Sequence, residues 1–184
     1  VAVQKYNNDM NIHAFQITPK KNIAIKTNAS TLDLLTGALP QGFYSTFSTL
    51  AHGTRVLDLQ SHLNRLYLPA KEMKLQPAVS EQILREQIAQ LVQGNLPHES
   101  RVRITLTKDK GEVYIGLQFF KLLAESVYTN GVHVVTSHIT RHDPQIKDTG
   151  FITESSEQRK LLSSDIFEVL LTRNGKILEG MTSN

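Results

Sequence analysis

The sequence predicts an α+β fold in two parts, and three observations carry that expectation. Arg101–Lys108 alternates Val102, Ile104 and Leu106 against Arg101, Arg103 and Thr105, the period of a half-buried strand, and Phe43–Leu50 is rich in the Phe, Tyr and Thr that suit another. Two segments between them repeat their apolar residues with helical spacing. After a connector at 121–129, a new strand signal and an Asn-Gly hairpin mark a second domain, from 130 to 184, beside a smaller first one at 1–120.

The elements follow in order. Asn11–Thr18 and Asn22–Lys26 have the character of short strands, and Ser30–Leu35 that of a helical turn begun by Ser30 or Thr31. Leu39-Pro40-Gln41-Gly42 is a turn into the Phe43–Leu50 strand; His52-Gly53 turns the chain back into Arg55–Leu59. Ser61 caps a helix to about Lys74 with Leu63, Leu66, Ala70 and Met73 on one stripe, and Pro69 inside it predicts a kink. Ser80 caps a second helix whose apolar face is Ile83, Leu84, Ile88, Leu91 and Val92, ended at Gly94-Asn95. Asp109-Lys110-Gly111 joins the Arg101–Lys108 strand to Val113–Phe120. In the second part, Gly131–Ser137 is a strand and Ser155–Leu162 a helix; Phe167–Thr172 and Lys176–Glu179 flank the Asn174-Gly175 turn.

Composition narrows the function. The 184 residues are 40% hydrophobic and 20% charged, enough for a real core. Net charge is +3 and the pI near 9.1, well short of the charge density of a dedicated nucleic-acid binder. Nor is there the aromatic-plus-basic platform of a single-strand binder. With no cysteine, thiolate catalysis and Cys-ligated zinc are excluded, and a reducing cytoplasm fits. The seven histidines show no metal-binding spacing, so no metal is expected. The apolar runs are too short to span a membrane, and Val1–Met10 lacks a signal-peptide core.

Two residues near the C-terminal end carry the chemistry. Lys147 and Glu179 lie thirty-two positions apart. A lysine amine can hold an aldehyde cofactor covalently, and a carboxylate can keep a pyridine nitrogen protonated. Each also has a plainer local reading, Lys147 as a solvated loop charge and Glu179 as an edge-strand acid in water. Arg65, beside the apolar stripe of its helix, either reaches a phosphate or is a surface arginine. Thr182-Ser183-Asn184, after Gly180-Met181, offers hydroxyl and amide donors.

In their order and spacing these segments resemble the class IV aminotransferases, the fold-type IV pyridoxal-phosphate enzymes. Branched-chain and D-amino-acid aminotransferases and 4-amino-4-deoxychorismate lyase belong to that family. The resemblance covers roughly residues 30–184. Gly42-Phe43-Tyr44-Ser45-Thr46 looks like the family's G-V-F-E-T strand, and His62-Leu63-Asn64-Arg65-Leu66 like its H-L-x-R-L helix. Gly131-Val132-His133-Val134-Val135 resembles the strand after the interdomain linker. Arg141 to Lys147 looks like R-x-x-P-x-I-K, and Glu179 to Asn184 like E-G-x-[ST]-S-N. Three departures stand out. Asp148-Thr149-Gly150-Phe151 replaces the usual Ser/Thr, Asn and Tyr after the lysine; Ser45 replaces a strand glutamate; Ser48 replaces a following arginine. The family also continues past the position of Asn184, so the resemblance implies a larger, barrel-like domain that is incomplete here.

The resemblance implies pyridoxal 5'-phosphate between two domains of a homodimer, and transamination between an amino acid and a 2-oxo acid. Lys147 would be the catalytic lysine, Arg65 the phosphate anchor and Glu179 the partner of the pyridine nitrogen, with Thr182 and Ser183 lining the site. A lyase releasing pyruvate from aminodeoxychorismate would use the same lysine and glutamate. A non-catalytic or truncated pseudoenzyme is the remaining alternative, favoured by the Asp148–Phe151 run.

Overall fold

The structure, a computed structural model, describes residues 12–120, 122–138, 148–163 and 165–182. Lys147, Ser183, Arg141, His142 and Asn184 lie outside the described residues. The chain divides into two units, Val1–Lys121 with Gln145–Thr149, and Leu122–Pro144 with Gly150–Asn184.

The first unit contains β1 (His13–Ile17), β2 (Asn22–Ile25), α1 (Leu32–Gly37), β3 (Gly42–Leu50), β4 (Arg55–Val56), α2 (Leu59–Glu72), α3 (Glu81–Gln93), β5 (Ser100–Thr107) and β6 (Val113–Phe119). Its strands form one antiparallel sheet in the order β2-β1-β6-β5-β3-β4. Side chains alternate across a strand, so each face collects its own set. Phe15, Phe43, Phe47, Val102, Ile104, Leu106, Ile115 and Leu117 lie on one face and pack with Leu63, Leu66, Leu84 and Ile88 of the two long helices. Ile12, Ala14, Leu32 and Leu35 make a smaller cluster with α1. Gly116 makes that second layer possible: a Cβ there would lie 2.6 Å from Leu35 Cδ2.

The second layer buries both faces of β5. The alternation alone puts Arg103 and Thr105 on a solvated face, yet they are 8% and 2% exposed. The Arg103 guanidinium is satisfied within the protein. Its Nε donates to Thr46 Oγ1 at 2.8 Å, its Nη1 to Asp33 Oδ1 at 2.5 Å and Thr36 Oγ1 at 3.3 Å, and the group stacks over Tyr44.

Local differences from the expected elements have local causes. The helix α2 starts at Leu59 because Asp58, in the left-handed region at φ 44, is its cap, accepting from Ser61 N. Pro69 is buried inside α2, which runs on to Glu72 before ending. Met73 leaves the apolar stripe, at 55% exposed, because the helix stops there. Thr31 caps α1 and Ser80 caps α3.

The second unit contains α4 (Glu125–Asn130), β7 (Val134–Ser137), α5 (Gly150–Glu154), α6 (Ser156–Arg159), β8 (Glu168–Arg173) and β9 (Lys176–Gly180). β8 is central, parallel to β7 and antiparallel to β9. Among the described residues this sheet is open, so the barrel-like domain is represented by three strands only. Phe151, Val169, Leu171 and Met181 form its core, with Val135 and Leu162 against them. The helix α4 falls in the segment expected to be only a connector; it buries no residue, so it left no apolar stripe to read. Residues 150–154 are helical ahead of the expected start at Ser155, and the helical stretch ends at Arg159 rather than Leu162. Among the described residues, no helix is long and apolar enough to cross a membrane.

The buried polar groups can be tested in two ways. Asp33→Ala strands the Arg103 guanidinium and should lower the unfolding free energy by about 2–3 kcal/mol, less than a fully buried pair because Asp33 is partly exposed. Chemical denaturation checks this, and a double replacement Asp33→Leu with Arg103→Met should recover most of the loss.

The second test is at alkaline pH. Burial, and then the Glu81 charge, raise the Tyr67 phenol, which donates to the Val79 carbonyl at 2.9 Å. Burial and the Glu112 carboxylate push Tyr114 up to about 12. A folded-state pKa above the unfolded value of 10.0 means stability that is complete below that pH and lost as pH rises toward the folded pKa. Denaturation midpoints should therefore fall between about pH 10 and about pH 12, and less steeply in Tyr67→Phe.

Candidate active site

Residues singled out in the sequence occur in both units, and each unit's share has its own construction. In the first, β3 presents Phe43, Ser45 and Phe47 toward the layer of α2 and α3. Ser45, fully buried, shares a 2.9 Å hydrogen bond with Nδ1 of His62, whose ring lies 4.9 Å from that of Phe47. His62 is thereby tied to the strand, and α2 with it. One turn further on the same helix stands Arg65, half-buried between Leu63 and Leu66, which are both inaccessible to water. Arg65 makes no hydrogen bond or ion pair among the described residues. The Asp58 carboxyl, held low first by its Ser61 hydrogen bonds, feels the Arg65 charge only as a minor, longer-range influence. The Arg65 carbonyl also lacks its usual i+4 donor, because residue 69 is proline.

The same unit holds the residues that follow Lys147 in the sequence. Asp148 forms a β-bridge with Phe43. Thr149 N donates to the Gly42 carbonyl at 2.9 Å, and Gly42 N donates back to Thr149 Oγ1 at 2.9 Å. Lys108 closes the clasp through an ion pair with Asp148 and sits over the Phe43 ring. Gly42 is required here, since a Cβ would lie 2.2 Å from the Leu106 carbonyl oxygen. The Asp148-Thr149 departure from the family pattern thus has a structural use: it fastens the chain to the start of β3.

In the second unit, Glu179 lies on β9 opposite Leu171. Cross-strand partners share a face, so Glu179 shares that of Val169, Leu171 and Met181, the apolar core of the unit. The side chain is half-buried. A carboxylate in that setting is stabilised by a cation or by donors. Thr182 is exposed, but its backbone N–H and its hydroxyl both donate to Glu168, at 3.1 and 2.7 Å to Oε2. The sequence reading missed Glu168, treating it as one residue of an apolar strand. The only local signal was an acid at the start of the run Glu168-Val169-Leu170-Leu171. It also missed the Ser45–His62 pair, whose partners are 17 residues apart.

Among the described residues, no group of three or more His, Cys, Asp or Glu side chains is placed to hold a metal ion. Taken unit by unit, Arg65 is a half-buried arginine whose fork suits a phosphate, and Glu179 is a half-buried acid on its own sheet.

The comparisons with known proteins agree with that chemistry. The chain belongs to the amino-transferase class IV family, whose model matches residues 42–184. It has the fold-type IV architecture of the solved structures it resembles. One, from Thermotoga maritima and described as a branched-chain amino acid aminotransferase, is 20% identical with a TM-score of 0.68, over 92% of this chain and 60% of the other. A hypothetical aminotransferase from Mycobacterium tuberculosis, in its PLP-bound form, is 17% identical with a TM-score of 0.61, over 91% and 65%. A protein described as a 4-amino-4-deoxychorismate lyase is 22% identical with a TM-score of 0.60, over 84% and 63%. Such identities speak to fold. The chain spans 60% to 65% of the length of these structures. No curated protein sequence matches it.

The clasp gives a direct test. Thr149→Val removes the acceptor for the buried Gly42 N–H and should cost about 1–3 kcal/mol. Limited tryptic digestion should then cut after Lys147 faster than in the wild type, with cleavage elsewhere unchanged.

Proposed function

We propose that the protein is a pyridoxal-phosphate-dependent aminotransferase that moves an amino group from an amino acid to a 2-oxo acid. The observation that carries this reading is the class IV family match over 42–184, with Arg65 of α2 half-buried and making no hydrogen bond or ion pair among the described residues. A guanidinium fork without a protein partner is suited to a phosphate. The apolar setting of Glu179 supports the same ligand from its other end.

When bound, pyridoxal phosphate supplies an electron sink for carbanion chemistry at the substrate α-carbon. Arg65 binds its phosphate through the planar fork of the guanidinium. Glu179 holds a proton on the pyridine nitrogen; the apolar surroundings of β8 and β9 strengthen that charge-assisted contact. Lys147 anchors the aldehyde carbon through its amine and moves the proton at the substrate α-carbon, as base and then as acid. Ser183, next in the sequence after Thr182, would offer a hydroxyl donor. Thr182 lines the same turn, with its hydroxyl lone pairs left for a ligand. A homodimer in the cytoplasm completes the reading, supported by the family and, for the compartment, by the absence of cysteine.

A second reading keeps the same residues and changes the reaction. The likeness to a protein described as 4-amino-4-deoxychorismate lyase favours it. A lyase turns over without a 2-oxo acid, whereas an aminotransferase stalls until one is added.

Protein mixed with pyridoxal phosphate should develop a visible absorbance band. Borohydride reduction and peptide mapping should place the added mass on Lys147. Lys147→Ala should lose the label and lower turnover by about 10²–10⁴-fold. No band and no label on Lys147 would refute the reading.

A further inference from the structure

Glu168 is the buried acid of the β8–β9 pair, 5% exposed. Its Oε1 accepts the backbone N–H of Val169 at 2.9 Å and, more weakly, that of Thr182 at 3.3 Å. Its Oε2 accepts the Thr182 N–H at 3.1 Å and the Thr182 hydroxyl at 2.7 Å. The groups that converge on it in these contacts are all donors. An amide of the same shape would turn two hydrogens toward that set, so the position calls for a carboxylate rather than a glutamine. Hydrogen bonds to the charged form are what make a buried carboxylate tolerable.

The placement gives this lock a purpose. Leu170 pairs with Gly180, and Met181 N donates to the Val169 carbonyl at 2.8 Å. Glu168 therefore continues the hairpin's register one step past its last backbone bond and fastens the turn that leaves β9. That turn closely follows Glu179 and leads into Ser183. We propose that Glu168 is a positioning residue of the cofactor site: its carboxylate holds the Met181–Thr182 turn and so fixes the end of the strand carrying Glu179. This rests on Glu179 being a cofactor-binding residue. It has a corollary for Thr182. Both of its donors are taken by Glu168, so it contributes no hydrogen to a phosphate, and its importance lies in completing the lock.

The test combines amide exchange without cofactor and cofactor titration. In Glu168→Gln the Thr182 amide should exchange about tenfold faster or more, and the Kd for pyridoxal phosphate should rise about tenfold or more, the size expected for losing a charge-assisted hydrogen bond. Thr182→Ser keeps the hydroxyl and should keep the slow amide exchange at position 182. Thr182→Val removes the hydroxyl that donates to Glu168 and should weaken cofactor binding, with a modest fall in Tm. Unchanged exchange or an unchanged Kd in Glu168→Gln overturns the proposal. If Glu168→Gln does not fold, Thr182→Val decides: a wild-type Kd there overturns it. Wild-type protein that takes up no pyridoxal phosphate refutes instead the reading of the site. The positioning role falls with it, while the exchange measurement still reports whether the lock exists.

Discussion

The pairing of β5 with β3 on one side and β6 on the other sets the terms for the first unit. Val102, Ile104 and Leu106 are fully buried against the long helices, and the opposite face of the same strand is buried as well. A strand buried on both faces cannot leave a polar side chain unsatisfied. Arg103 is the hardest case, and α1 is built to meet it: Asp33 and Thr36 supply the acceptors, while Leu32 and Leu35 supply the apolar cover. The absent side chain at Gly116 is what lets that helix come down onto the sheet. The helix, the glycine and the ion pair are thus one solution to one constraint.

The same rule operates wherever the backbone leaves regular structure. The left-handed residues Ala51 and His52 precede Gly53, and the turn they form is held by Glu99. That buried carboxylate accepts from His52 N at 2.8 Å, Gly53 N at 3.0 Å and Thr49 Oγ1 at 2.7 Å. Glu168 does the corresponding work in the second unit. In both places a buried acid stands in for the missing strand partner of a turn, collecting the N–H groups that the ladder no longer uses. Among the described residues, the buried side-chain atoms left without a partner are Asn22 Oδ1, Gln87 Oε1 and Gln158 Oε1, all neutral amide oxygens.

What the sequence made legible follows from the range of the interactions involved. Periodicity reports which face of an element is apolar, so α2, α3, β3, β5 and β6 were readable, as was the Asn174-Gly175 hairpin. Periodicity does not report what covers the other face. Arg103 looks solvated until Asp33, seventy residues away, is brought to it. The helix α4 buries nothing and therefore has no pattern, and the start of α2 turns on Asp58, a favoured cap three residues before the Ser61 that the pattern suggests. For the candidate site, motif order is what singled out Arg65 and Glu179, whereas nothing local pointed to Glu168, because its hydrogen bond reaches a residue fourteen positions later.

Arg103 and Arg65 differ in a way that bears directly on function. Both are arginines on regular elements of the same unit, and both are drawn out of water. Arg103 is given acceptors, an ion pair and an aromatic face, which is how this fold treats a cation that it needs for structure. Arg65 makes no hydrogen bond or ion pair among the described residues, on a helix whose neighbouring histidine is already tied to β3. A dianionic ligand would meet that fork, and the gain would appear as binding energy rather than as stability of the empty protein. The acid on β9 has the complementary setting: Glu179, set on an apolar face, would gain from a protonated aromatic nitrogen.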